Sequence, residues 1–114
     1  MKVYLLILAY LLFACSNSTT KIPANILSKT EFENILKEIH LAEATFELNK
    51  TANIKNAKNE LANAYFDLYK KHQISESDFK EAFNYYSENY EKLDQVYTNL
   101  LNQLTKERSQ LDQQ

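Results

Sequence analysis

His40 and Glu43 come nearest, by type and spacing, to residues that could do chemistry. Three apart in a helical stretch, they share a face, so an imidazole and a carboxylate could reach one metal ion. Carboxylate-bridged di-metal bundles, however, use Glu-x-x-His on paired helices together with further glutamates. Here the order is reversed, no second copy exists, and the position three before His72 is Tyr69. The pair therefore reads as a surface His–Glu contact. His72 closes an apolar stripe, and a histidine in the last turn of a helix faces the negative end of the helix dipole, which is a structural role. Tyrosine is the other resource: Tyr65, Tyr69, Tyr85, Tyr86, Tyr90 and Tyr97. Rings with polar tips line grooves and interfaces as well as cores. The adjacent Tyr85 and Tyr86 must point to different sides of a helix, one into the core and the other toward solvent or a partner. No nucleophile, base and orienting group can be assembled. The reading is of a protein that is not an enzyme, with no catalytic residue, no metal site and no cofactor.

Composition narrows the classes further. The chain has no glycine, and Pro23 is its single proline. Glycine-rich phosphate loops, nucleophile elbows and Rossmann turns need glycine for backbone reasons, so those classes are excluded. Tight hairpins favour glycine too, while the helix formers Leu, Ala, Glu, Lys and Gln are abundant. Thirteen Lys and Arg stand against fifteen Asp and Glu. No basic cluster exceeds Lys70-Lys71, so no face is suited to offset nucleic-acid phosphates.

The single cysteine, Cys15, ends an apolar run from Val3 to Ala14. That run is shorter than the roughly 20 residues a membrane-spanning helix needs. It fits the window of about 7–15 apolar residues behind a positive charge, here Lys2, that marks a signal peptide. Its end, Leu12-Phe13-Ala14-Cys15, resembles the bacterial lipobox, in which a small residue precedes a cysteine that receives a diacylglycerol. Phe13 is bulkier than the usual occupant of its position. The expected organisation is a signal peptide over 1–14, a lipidated Cys15 and flexible tether over 15–29, and a helical domain over 30–114. The membrane would then be engaged through acyl chains alone, two or three of which anchor durably where one is marginal.

These readings require elements to carry them. Phe32, Ile35, Leu36, Ile39, Ala42 and Phe46 recur at helical spacing, with Leu41 and Leu48 widening the stripe. Thr30 and Glu33 offer a capping box at its start, and the helix ends near Asn49. After a turn at "NKTAN", a second stripe runs Ile54, Ala57, Leu61, Ala64, Tyr65, Leu68 and His72. Ser75 and Asp78 then form a capping pair for a third stripe: Phe79, Phe83, Tyr86, Tyr90, Leu93, Tyr97, Leu100, Leu104, Glu107 and Leu111. Its intervals of four and three do not break at Asn89, which favours one long helix, with room for a bend, over two. The expected fold is an all-α, three-helix antiparallel bundle with a long C-terminal helix. At 1.5 Å per residue the first two helices span about 30 Å and the third about 50 Å. Leu100, Leu104 and Leu111 should then overhang and, with Tyr97, form a surface for an envelope protein partner or for self-association. A Tyr-lined groove between helices, taking a small apolar or peptidic ligand, is the alternative.

"ILKEIHLAEA" from Ile35 to Ala44, then Tyr65, Leu68, His72, Ile74, Phe79, Tyr85-Tyr86, Leu93, Val96-Tyr97 and Leu100 together resemble the domain-of-unknown-function 4296 family of small Bacteroidota lipoproteins. The resemblance covers about Pro23 to Leu104. It implies a cell-envelope lipoprotein with no established activity and supplies no catalytic residues. Ser16 is not the Asp associated with inner-membrane retention, and "SNSTTK" lacks the acidic residues associated with surface export, so the periplasmic face of the outer membrane is implied. The family tends to have Ser where Ala82 stands and Pro where Tyr90 stands. The missing proline removes a kink signal and agrees with one continuous helix.

Overall fold

The computed structural model describes residues 21–114. The signal run, the lipobox with Cys15 and the first residues of the tether lie outside them. Four helices follow: α1 (Lys29–Asn49), α2 (Ile54–His72), α3 (Glu76–Ser87) and α4 (Tyr90–Asp112). The all-α class is as expected, but the three-helix count is not.

The first helix starts earlier than its stripe suggests. Ser28, not Thr30, is the N-cap: its Oγ accepts from the Glu31 amide at 3.3 Å, and the Glu31 carboxylate accepts from the Ser28 amide at 3.0 Å. Glu33 is thereby free for another role and is buried, 6% exposed. Asn99 Nδ2 donates to it at 2.8 Å. The second half of α1 forms an antiparallel hairpin with α2. Asn49 donates to Glu60 at 3.4 Å, Tyr65 to Glu43 at 2.8 Å and His72 to Glu38 at 3.0 Å. α2 ends on Gln73 in the left-handed region, φ 54°, a place where glycine is usual and this chain has none. The Ser75–Asp78 capping box opens α3 as read, at 3.0 and 2.7 Å.

The long third helix is in fact two. Asn89 is extended at φ −120°, ψ 113°, and its Oδ1 accepts from the amides of Glu91 at 2.9 Å and Lys92 at 3.4 Å. Asparagine favours such a cap over a helix interior because its short side chain replaces the missing backbone acceptors. A spacing pattern is blind to one non-helical residue, so the heptad phase survives the break. Tyr90, counted in the stripe, is 81% exposed.

Separating α3 from α4 lets both pack on α1. Phe32 and Leu36 meet Ala82 and Tyr86 of α3 and Val96 and Leu100 of α4. Gln95 and Tyr97, two residues apart on α4, reach Lys29 and His40 on α1. Asn99 and Glu107 reach Glu33 and Lys37, so α4 packs against the first half of α1 as part of a helical bundle. A second cluster joins Ile35 and Ile39 to Leu68, with Tyr65, Tyr69, Ile74 and Phe79 around it.

The tether also ends sooner than expected. Ile22, Ile26 and Leu27 pack on the first cluster, and Tyr86 donates its hydroxyl to the Leu27 carbonyl at 2.8 Å. The folded body thus begins near Ile22, not at Thr30. Among the described residues no helix is long and apolar enough to cross a membrane.

Candidate functional site

The stripe assigned to partner binding is divided by the fold. Leu100 is 5% exposed and belongs to the first core cluster, so its place in an overhanging surface is corrected: α4 packs there with Phe32 and Leu36 of α1. Tyr97 and Leu104 are half-buried and pack against the same cluster. Leu111 alone of the four is exposed, with Leu101 beside the stripe. Beyond Leu104 every residue of α4 is exposed, and the Lys37–Glu107 ion pair at 2.7 Å ties it back to α1.

The tyrosines sort as their chemistry suggests. Tyr86 is buried, while Tyr85 is half-buried with the Lys92 ammonium 4.5 Å from its ring centre. Burial, then Tyr85 and the Glu33 charge, pushes the Tyr86 phenol up to about 12.

Tyr65 and Tyr69 lie one turn apart on α2 and share a face. Their rings are nearly parallel, 6.3 Å between centres. Phe79 enters from the first turn of α3, 6.4 Å from Tyr69 and 5.7 Å from Phe32, which stacks in turn on Tyr86 at 4.7 Å. A train of rings thus runs from α2 through the core. At its outer end Ile39, Tyr65, Tyr69 and Phe79 wall a cleft of about 350 Å³ between α1, α2 and α3, edged by Glu43, Glu76 and Lys80. Its size is within the usual range of ligand sites.

The edge of the cleft is fixed by hydrogen bonds. Glu43 accepts from Tyr65 through one carboxylate oxygen at 2.8 Å and from His40 Nδ1 through the other at 3.2 Å. The His40–Glu43 pair is therefore one half of a His–Glu–Tyr chain across the α1–α2 seam. His40 Nε2 is enclosed beside the Tyr97 ring and has no hydrogen-bond partner. Burial, reinforced by the Glu43 hydrogen bond, raises the Tyr65 phenol to about 12. Burial and then the Glu76 charge raise Tyr69 as well. Glu76 pairs with Lys80 at 2.7 Å, both well exposed. His72, expected to serve the helix dipole, also joins Lys71 on Glu38 across the hairpin. Burial works to raise the Glu38 pKa, but the hydrogen bonds from Lys71 and His72 outweigh it and leave it lowered.

Sequence reasoning placed Tyr65 on an apolar stripe but did not pair it with Tyr69 and Phe79. The usable signal was Tyr65 and Tyr69 at i, i+4, followed across a three-residue turn by Phe79. Among the described residues no group of three or more His, Cys, Asp or Glu could hold a metal.

Fold and cleft together define a small all-α domain whose helices leave an aromatic recess beside a packed core. Residues 23–110 match the family described as Domain of unknown function (DUF4296), and the chain belongs to that family. No curated protein and no solved structure matches it.

Proposed function

We propose that this is a lipid-anchored domain of the bacterial cell envelope that binds a small apolar or peptidic ligand in the cleft between α1, α2 and α3. The carrying observation is the recess of about 350 Å³ walled by Tyr65, Tyr69 and Phe79. Apolar walls with a few fixed polar groups at the edge are what binding sites of this size share. Cys15 supplies the anchor, and the short link from it to Ile22 holds the domain near the membrane, on the periplasmic face of the outer membrane in this reading. The domain acts by recognition, without catalysis.

Association with an envelope protein or a second copy through the end of α4 is the second reading, supported by Leu101 and Leu111, 62% and 69% exposed on a helix that outruns its neighbours. Native mass spectrometry of the full chain extracted from membranes separates the two. The first reading expects a bound species that is lost in Tyr69→Ala and kept in Leu101→Glu/Leu111→Glu. The reverse pattern would overturn it in favour of the second.

A further inference from the structure

The edge of the cleft carries an unequal charge set. Two carboxylates, Glu43 and Glu76, face one ammonium, Lys80. Glu43 accepts one hydrogen bond on each oxygen, from the Tyr65 hydroxyl and from His40 Nδ1, and a carboxylate has acceptor capacity beyond two. The rings of Tyr65, Tyr69 and Phe79 line the walls, and aromatic faces are the negative part of a ring. Aromatic walls under surplus carboxylate suit a cation on an apolar stem. A planar guanidinium is favoured over an ammonium, because it stacks on rings while its fork of N–H groups reaches carboxylates. The recess is too small to enclose a folded partner and is edged by exposed side chains, so the backbone that carries the cation can stay outside.

We propose that the cleft receives an arginine side chain of a peptide, its stem against Ile39 and Phe79 and its guanidinium against the Tyr rings and Glu43. This rests on the cleft being the binding site and adds the chemistry of its occupant. Lys80 sits on Glu76 and opposes the incoming cation.

The test is a titration of the full chain in detergent micelles, following the ring resonances of Tyr65, Tyr69 and Phe79. The probes are the blocked tripeptide Ala-Arg-Ala, its citrulline counterpart, agmatine and p-cresol. The arginine peptide should move all three rings saturably and bind about tenfold or more tighter than the citrulline peptide, the combined scale of a cation–π contact and a carboxylate pair. Glu43→Gln, which keeps an acceptor for Tyr65, should weaken the arginine peptide several-fold and leave the citrulline peptide unchanged. Lys80→Gln should tighten the arginine peptide. Equal binding of the arginine and citrulline peptides would overturn the inference while leaving a ligand cleft in place. Agmatine binding as tightly as the arginine peptide would overturn the peptide source. No ring shift with any probe, p-cresol included, would remove the cleft reading itself.

Discussion

Tyr65 is where stability and the site meet. Its hydroxyl crosses the α1–α2 seam to Glu43, and its phenol is held at about 12, above the ordinary 10.0. A raised folded-state value contributes stability that is complete below pH 10 and is lost as pH rises toward the folded value. Tyr86 behaves alike. Tyrosinate absorbance should therefore show these two ionising last, together with alkaline unfolding. Tyr65→Phe should cost about 1 kcal/mol at neutral pH and lessen the alkaline loss. Ionisation of all tyrosines near pH 10 in the folded protein would contradict this. The caps respond to acid with the opposite sign. Hydrogen bonds from the Ser28 side chain and amide lower Glu31, and those from the Ser75 amide and side chain lower Asp78. Lowered carboxyls contribute stability above their ordinary values, lost as pH falls through the folded ones. The melting temperature should be level from neutral pH down to about 5 and decline below about 4, less steeply in Ser75→Ala. The Ser75–Asp78 cap was legible because both partners sit within four residues. The cleft was not, because it depends on which faces of α1 and α2 meet, and that is decided by Ile35, Ile39 and Leu68 far apart in the chain.

Between elements, the junctions carry the information that spacing missed. The helix stripes and the second helix's bounds were readable because apolar periodicity is strong there. The break at Asn89 was not, since 4-3 spacing runs through it. A proline at position 90 would fall on the first residue of α4, where proline is favoured, after an extended residue of the kind that precedes proline. Tyr90→Pro should leave stability within about 0.5 kcal/mol of the parent, whereas proline inside one continuous helix would cost about 3 kcal/mol. Urea denaturation decides between them. Asn89→Ala should cost about 1 kcal/mol through the lost cap. Gln73→Gly, relieving a left-handed residue, should instead stabilise by about 0.5–1 kcal/mol. A loss of stability there would mean the Gln73 side chain contributes more than its backbone costs.

For the whole molecule, the packing of α4 on the first half of α1 governs what is core and what is surface. Leu100→Glu buries a charge beside Phe32 and Leu36 and should abolish the cooperative melt. Leu111→Glu, on an exposed turn, should stay within about 0.5 kcal/mol of the parent. Equal effects in both would contradict the division of the stripe. The sequence could not make that division, because helix lengths alone left Leu100 in the overhang. At the other end of the chain, Cys15→Ser should move the protein out of the membrane fraction or leave it unprocessed, and unchanged fractionation would argue against the anchor. The most direct measurement of the central claim, that the cleft is where this domain binds, is position-specific photo-crosslinking in intact envelopes. A cross-linking residue at Lys80, on the edge of the cleft, should capture a species of defined mass, and Tyr69→Ala should abolish that capture. Capture from Leu111 with none from Lys80 would contradict the claim and move the site to the end of α4.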